Sequence, residues 1–180
     1  MYLDDSAGLD VTELKSRARR MKRSFGIRLF IIDYLQLLHH REASRQGRQI
    51  ETGAISGAIK AMAKELRVPV LVLSQLSRAP EAREDRVPRL ADLRDSGSIE
   101  QDADVVLLLR RQCMIDREYA DKRLAIVEVA KNRNGPMGTC LNLDFNDEIT
   151  RFSDRLDHGV DGVDFGRENE PAAYEGGVEE

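Results

Sequence analysis

The feature that most constrains this chain is the segment at residues 28–38, R-L-F-I-I-D-Y-L-Q-L-L, in which an apolar run ends at one carboxylate, Asp33. A run that is apolar on both faces is typical of a strand inside a parallel sheet that has helices on each side. In open sheets of that kind, ligands bind at the carboxyl ends of the strands, where Asp33 would lie. The alternative is that Asp33 only caps the next turn, so this segment alone assigns no function.

The composition predicts one soluble globular domain. The chain has 180 residues, of which 41% are hydrophobic and 33% are charged. No apolar run approaches the length of a membrane span, and the first residues do not resemble a secretory signal. The two cysteines, Cys113 and Cys140, have no metal-ligand spacing, which favours a reducing cytoplasm. His39, His40 and His158 are too scattered to predict a metal site.

The net charge of −4 is unevenly distributed along the chain. Residues 154–180 are rich in acidic residues and glycine, which predicts a disordered acidic tail. Residues 1–153 form the predicted folded domain, which is close to neutral or mildly basic. Its basic residues cluster at 15–28, 41–48, 78–94 and 110–133. Such clusters are usually solvated faces or loops, so alone they are weak indications of nucleic-acid binding.

The first half of the chain predicts alternating strands and helices. We expect a short strand at residues 2–5, a helix between Asp10 and Gly26, and the central strand at 29–33. Asp10 and Glu13 resemble a capping box. A second helix is expected at about 49–67. Its apolar residues share two adjacent helical rows, of which the first is Ile50, Ala54, Ala58, Met62 and Leu66 and the second is Ile55, Ile59 and Ala63.

The second half predicts further strands and a hairpin. A buried strand at 68–73 ends at Ser74 and Gln75, and a long charged connection at 76–97 follows, of a length that is usually functional or disordered. We expect a short helix at 98–101 and a third core strand at 103–109. Strands at 124–130 and 139–145 flank a turn at Asn134, and a last strand is expected at 149–152. This order predicts an α/β domain with a mostly parallel sheet and an antiparallel edge.

Four segments, taken together and in order, resemble one family. They are I-I-D-Y-L-Q-L-L (31–38), V-L-S-Q-L-S-R (72–78), D-L-R-D-S-G-S-I-E-Q-D-A-D (92–104) and K-N-R-N-G-P-M-G (131–138). The family is the C-terminal RecA-like motor domain of DnaB-type replicative DNA helicases. The resemblance implies a RecA-like, mostly parallel sheet flanked by helices, with antiparallel C-terminal strands. It also implies a cytoplasmic enzyme that uses ATP and Mg²⁺ to translocate 5′ to 3′ on single-stranded DNA as a homo-hexameric ring.

The resemblance assigns roles to two strand-end residues. Asp33 corresponds to the Walker B aspartate, which holds Mg²⁺ beside the nucleotide phosphates, and a carboxylate oxygen suits that hard cation. Gln75 corresponds to the residue that senses the γ-phosphate and relays its loss to the DNA-binding loops. A neutral amide can hydrogen-bond phosphate or water without a change of charge. Without the family context, Gln75 would be an ordinary polar residue at a strand end.

Residues Arg94, Asp95, Ser96 and Gly97 match the loop that grips single-stranded DNA in this family. Arg94 can pair with a phosphate, and Gly97 permits a close approach of the backbone. The loop has no aromatic residue, so base stacking is not expected there. The alternative is that Arg94 forms a surface ion pair with Asp92 or Asp95.

Lys131 and Arg133 alternate on one predicted strand, so both side chains project to the same side. The resemblance implies that they reach the nucleotide of a neighbouring subunit, with Arg133 as the arginine finger. That role requires an oligomer. The alternative is a basic pair that protects a strand edge.

The phosphate-binding sequence G-x-x-x-x-G-K-[ST] does not occur in these residues. The family places that loop, the catalytic glutamate and the domain that recruits primase upstream of the matching region. We therefore expect a partial motor domain with little or no ATPase activity of its own, whose full-length form meets a primase and a helicase loader. Two alternatives stay open: a non-catalytic DNA-binding or ring-modulating fragment, and another RecA-like ATPase, which residues 94–104 argue against.

Overall fold

Two short parallel strands carry the predicted strand-end site. The computed structural model describes residues 1–155 except Ala7 and Arg78, and only the backbone of residues 94–96. Strand β1 (Phe30–Ile32) pairs in parallel with β2 (Val70–Val72). Both strands fall within the segments predicted for them, at 29–33 and 68–73. Most of the predicted acidic tail, from residue 156 onward, lies outside the described residues.

Helix α1 (Val11–Phe25) confirms the first predicted helix, with Asp10 as its N-cap and Gly26 as its C-cap. The Asp10 carboxylate accepts a hydrogen bond from the Thr12 amide at 2.8 Å. The predicted capping box is wrong, because Glu13 pairs with Arg17 instead of returning to the cap. The predicted strand at residues 2–5 is also wrong. That segment pairs with no strand and is tied to α1 by an ion pair between Asp4 and Arg17 at 2.7 Å.

Helix α2 (Arg48–Leu66) connects β1 to β2 and contributes four buried apolar residues to the core. Its fully buried residues are Ile55 and Met62, and Ile59 and Leu66 are also buried. The predicted apolar face is wrong at Ile50, which is 50% exposed. Polar residues occupy the buried side of this first turn because Glu51 there accepts hydrogen bonds that hold the preceding loop.

The remaining strands form a separate antiparallel sheet. Strands β3 (Val105–Arg111), β4 (Leu124–Asn132), β5 (Cys140–Asn146) and β6 (Arg151–Asp154) lie in the order β3-β4-β5-β6. The predicted hairpin and last strand are confirmed. The third core strand does not join the parallel pair, because β3 takes β4 as its hydrogen-bonding partner. The α/β class is confirmed, and β1–β2 is the one parallel pair among the described residues.

Two short helices and four 3₁₀ turns complete the described part of the chain. Helix α3 (Gly97–Asp102) precedes β3, and α4 (Gln112–Ile115) follows it. The 3₁₀ turns are Leu35–Leu37, Ala43–Gln46, Ala79–Ala82 and Leu90–Ser96. None of the helices in the described ranges is both long and apolar enough to cross a membrane.

Exposure alternates along β3 and along the two strands of the parallel pair. Val106 and Leu108 of β3 are buried, while the alternate residue Leu107 is 52% exposed. On the parallel pair, Ile31 is 62% exposed and Leu71 is 49% exposed. The expectation of strands that are covered on both sides therefore holds for one side only within the described residues.

We expect Ile55→Ala to lower the free energy of unfolding by about 2–5 kcal/mol, because it leaves a cavity in the fully buried core. The matched control is Ile50→Ala on the same helix, whose exposed side chain should contribute within about 0.5 kcal/mol. Urea denaturation followed by circular dichroism measures both variants. Equal losses would contradict the assigned face of α2.

Candidate functional site

The parallel pairing brings Asp33 and Gln75 to one edge of the sheet. Ile32 lies opposite Val72, so the two strands end side by side. The Leu73 amide donates to the Ile32 carbonyl at 2.9 Å, and the pairing continues past both strand ends. Asp33 and Gln75 are exposed at this edge. The structure thus places the two predicted residues on adjacent strand ends.

Gln36 joins the two strand ends. Its Oε1 accepts from the Gln75 amide at 3.3 Å, and its Nε2 donates to the Ser74 hydroxyl at 3.0 Å and to the Gln75 carbonyl at 3.3 Å. Buried Leu35 anchors the 3₁₀ turn that carries Gln36. Sequence reasoning did not single out Gln36. The available indication was its place three residues after Asp33 in a segment that already carried the resemblance.

A buried carboxylate connects this edge to α2. Arg48 donates from Nη2 to the Gln36 carbonyl at 2.6 Å and from Nη1 to Glu51 Oε2 at 2.9 Å. Glu51 Oε1 accepts from the His40 amide at 3.1 Å and lies 3.6 Å from His39 Nδ1. Burial raises the pKa of Glu51, but the His40 amide and Arg48 outweigh it, so the net effect is a lowered pKa. Arg48 and Glu51 therefore link the strand edge to the polar loop before α2.

Lys131 and Arg133 meet at the C-terminal end of α3, at a separate place in the fold. Lys131 Nζ donates to the Glu100 carbonyl, and Arg133 donates to the Gln101 carbonyl at 3.1 Å. Cations are favoured at helix C-termini, where carbonyl groups lack intrahelical partners. Lys131 lies in β4, but the strand ends at Asn132 and Arg133 lies in the turn that follows, so the prediction that the two residues alternate on one strand is wrong at Arg133. Both side chains nevertheless reach the same helix.

Arg133 also pairs with Asp104, with an Nη1–Oδ1 distance of 3.1 Å. Asp104 pairs with Lys60 too, and this lysine together with Arg133 lowers the pKa of the Asp104 carboxyl. Among the described residues, no hydrogen bond or ion pair joins Lys131 or Arg133 to the edge that carries Asp33. The structure thus leaves the four predicted nucleotide residues as two separate pairs.

The predicted DNA-binding loop has helical backbone. Arg94, Asp95 and Ser96 form the end of the 3₁₀ turn Leu90–Ser96, and Gly97 begins α3 with a φ of −48°. The connection predicted at residues 76–97 therefore ends in a 3₁₀ turn that leads directly into α3. The side chains of Arg94, Asp95 and Ser96 lie outside the described part of the structure. Gly97 is exposed, and a Cβ added there would meet no atom within 4 Å.

Within the described residues, no group of three or more histidine, cysteine, aspartate or glutamate side chains could hold a metal ion. Asp33 is a single exposed carboxylate at the strand edge. One carboxylate fits Mg²⁺, which keeps several waters and is often held by one or two carboxylates together with substrate phosphates.

Comparison with known proteins identifies the family. Residues 1–154 match the family model described as the DnaB-like helicase C terminal domain, and the chain belongs to that family. The chain is 45% identical over 152 residues to the replicative DNA helicase DnaC of Bacillus subtilis, covering 84% of this chain and 33% of that protein. It is 46% identical over 154 residues to the replicative DNA helicase DnaB of Leifsonia xyli, covering 86% of this chain and 33% of that protein. The chain thus spans about a third of the length of these relatives.

Two solved structures share the fold. One is described as an ATPase domain and superimposes with a TM-score of 0.78 at 42% identity, covering 84% of this chain and 54% of that one. A DnaB-like replicative helicase, solved in a study of its interactions with primase, also gives a TM-score of 0.78, at 41% identity. That match covers 85% of this chain and 36% of the other. The described domain is therefore RecA-like, as the resemblance implied.

We predict that Glu51→Gln destabilises the chain at neutral pH by about 1–3 kcal/mol, because the buried carboxylate accepts charge-assisted hydrogen bonds. The folded pKa of Glu51 is below its unfolded value, so its contribution is present above the unfolded pKa and is lost as the pH falls through the folded pKa. The difference from the unchanged chain should therefore shrink in acid. Urea denaturation across this pH range measures it, and a difference that stays constant with pH would contradict the assignment.

Proposed function

We propose that this chain is the C-terminal part of the motor domain of a replicative DNA helicase. In this proposal the complete subunits form a homo-hexameric ring that uses ATP and Mg²⁺ to move 5′ to 3′ on single-stranded DNA. The observation that carries the proposal is the parallel pairing of β1 with β2, which sets Asp33 beside Gln75 in a chain of this family. Ligands of open α/β sheets bind at this end of the strands.

At the strand edge, Asp33 would hold Mg²⁺ through its exposed carboxylate, and the ion would neutralise charge on the phosphates. Gln75 would hydrogen-bond the γ-phosphate or the water beside it. The Gln36 side chain supports this role because it is hydrogen-bonded to both the backbone amide and the backbone carbonyl of Gln75. The Gln75 side chain is thereby presented from a fixed backbone.

Arg133 would act at the nucleotide of the neighbouring subunit, with Lys131 beside it. Two features support an action outside its own chain. The Arg133 side chain is 50% exposed, and its partner Asp104 is 55% exposed. An exposed ion pair of this kind is worth about 1 kcal/mol or less, so exchange of Asp104 for a phosphate costs little. Asp104 also pairs with Lys60, so its carboxylate would keep one cationic partner when Arg133 leaves it.

Residues 94–97 would contact the DNA backbone. Arg94 supplies a cation for a phosphate, and such contacts carry no base information, which suits a motor that moves along any sequence. The segment is held at both ends. Leu93 is buried on one side, and the Ala103 amide donates to the Ile99 carbonyl as α3 ends on the other.

The remaining functional parts would come from the rest of the motor domain. The 180 residues contain no P-loop sequence, and the matched region is 54% of the ATPase domain that shares the fold. We propose that the exposed apolar side of β1, β2 and β3 packs against that other part. The tail predicted from residue 154 would then begin only after Arg155, because Asp154 belongs to β6 and Arg155 pairs with Asp121 at 2.6 Å. Residues 1–155 would be the motor segment and the rest of the chain a separate acidic tail. Primase and a loader would be partners of the complete cytoplasmic protein.

The proposal is tested with a chimera in which residues 1–154 replace the matching segment of the Bacillus subtilis relative. We expect Mg²⁺-dependent ATP hydrolysis that single-stranded DNA stimulates. Asp33→Asn should abolish the Mg²⁺-dependent rate, and Arg133→Ala should lower kcat about 1,000-fold or more, the usual contribution of an arginine finger.

The matched control for the chimera is Asp147→Asn. Asp147 is 73% exposed and lies 3.7 Å from Arg111, so this variant should keep the rate of the unchanged chimera. The isolated chain should hydrolyse little or no ATP. An active chimera that tolerates Asp33→Asn or Arg133→Ala would refute the roles proposed for these residues.

A further inference from the structure

Asp92 is a buried carboxylate to which the proposed function assigns no role, and it is 2% exposed. Arg83 donates to it twice, from Nη1 to Oδ1 at 2.7 Å and from Nη2 to Oδ2 at 2.6 Å. The Arg89 amide donates to Oδ2 at 2.6 Å. The Arg83 guanidinium also lowers the pKa of the Asp92 carboxyl, which therefore stays ionised at neutral pH. A buried charge with a bidentate partner and an amide donor is fully paired.

The Arg83–Asp92 pair closes the long connection between β2 and α3. Arg83 follows the 3₁₀ turn Ala79–Ala82, and Asp92 lies in the turn Leu90–Ser96. Arg83 also donates to the Val87 carbonyl at 2.5 Å, so the chain between the two residues is held from inside. The long charged connection is thus a closed loop with one ion pair at its base.

The base of this loop also ties the end of β2 to the proposed DNA-binding segment. The Ser77 amide donates to the Asp92 carbonyl at 3.0 Å. Ser77 comes two residues after Gln75, and Asp92 comes two residues before Arg94. Leu76 packs against the buried cluster that contains Leu93. One backbone hydrogen bond and one apolar contact therefore join the two segments, and Arg83 fixes Asp92 at their junction.

We propose that Arg83 and Asp92 are positioning residues for DNA binding, which hold residues 94–97 against the end of the strand that carries Gln75. The inference rests on the DNA-binding role proposed above for residues 94–97. Neither residue of the pair has to touch DNA. A rigid connection of this length lets a shift of Gln75 move the DNA contact, whereas a broken pair leaves the segment to adopt other positions.

Simple electrostatics predicts the opposite effect of one substitution. Asp92→Asn removes a negative charge, and a less negative chain should bind DNA more tightly. If Asp92 positions the segment, the same substitution weakens binding because the guanidinium loses its ionic partner. Arg83→Lys gives a second contrast. It keeps the charge needed for a direct phosphate contact but loses the planar fork that holds both carboxylate oxygens.

The test measures binding of a fluorescent oligothymidylate of about 20 nucleotides to the 180-residue chain by anisotropy, over a range of salt concentrations. We expect Asp92→Asn and Arg83→Lys each to raise Kd about tenfold, as does loss of one charge-assisted contact. The matched control is Glu84→Gln. Glu84 is exposed, lies in the same loop and carries the same charge, so this variant should bind as well as the unchanged chain or better.

A double variant shows whether the pair acts through the DNA-binding segment. Arg94→Ala alone should weaken binding and flatten the salt dependence. Adding Asp92→Asn to Arg94→Ala should weaken binding no further, because the two changes remove the same contact. Thermal melting by circular dichroism shows that each variant is folded, and Arg83→Lys tests the same claim if Asp92→Asn does not fold.

The outcomes separate the inference from the proposed function. Tighter or unchanged DNA binding by Asp92→Asn and Arg83→Lys, with Arg94→Ala weakened, would overturn the positioning role alone. Additive losses in the double variant would overturn it as well. No DNA binding by the unchanged chain, or full binding by Arg94→Ala, would overturn the proposed DNA contact and with it the role of the pair.

Discussion

The structure depends first on the parallel pairing of β1 with β2. Strands that are parallel end at the same edge, so the pairing sets Asp33 and Gln75 side by side although they are far apart in sequence. The crossover helix α2 makes the pairing possible, because parallel strands need a long connection. Its fully buried Ile55 belongs to a cluster with Leu35, against which Ile32 of β1 and Val72 of β2 pack. The β1–β2 pairing thus determines both the packing of the core beneath the strands and the positions of the polar residues at their ends.

A second layer of polar contacts fixes what surrounds that edge. Gln36 holds the Gln75 backbone, Arg48 holds the Gln36 carbonyl, and Glu51 holds Arg48. On the other side of Gln75, the Ser77 amide binds the Asp92 carbonyl. In both directions the strand end leads to a buried carboxylate with an arginine partner. In the proposed motor, these two connections would carry the nucleotide state to the polar loop before α2 and to the DNA-binding segment.

Patterns within one element could be predicted from the sequence, and pairings between elements were harder. Helix α1 followed from the Asp10 cap and the Gly26 stop, and the β4–β5 hairpin followed from its turn residues. The position of β3 could not be predicted, because an apolar strand has the same pattern in a parallel and in an antiparallel sheet. Ile50 has the helical spacing of a core residue, but the buried polar contacts of Glu51 occupy its place.

The residues of the candidate site also differ in whether the sequence alone could identify them. Asp33 and Gln75 were predictable because each ends an apolar run, and family motifs supplied the roles. Gln36 and Arg83 were not, since their importance lies in partners that the sequence does not identify. The resemblance implies that Asp33 and Arg133 act at one nucleotide site from two different subunits. Within one chain these residues lie apart, so this arrangement depends on how the subunits assemble.

The most direct test of this account is a mixing experiment with two inactive chimeras, one carrying Asp33→Asn and the other Arg133→Ala. If Asp33 acts in its own subunit and Arg133 in the neighbour's site, random mixing in equal amounts restores roughly a quarter of the interfaces. We predict that the mixture regains DNA-stimulated ATP hydrolysis that neither variant has alone. A mixture that is no more active than its two components would contradict the division of one site between two subunits.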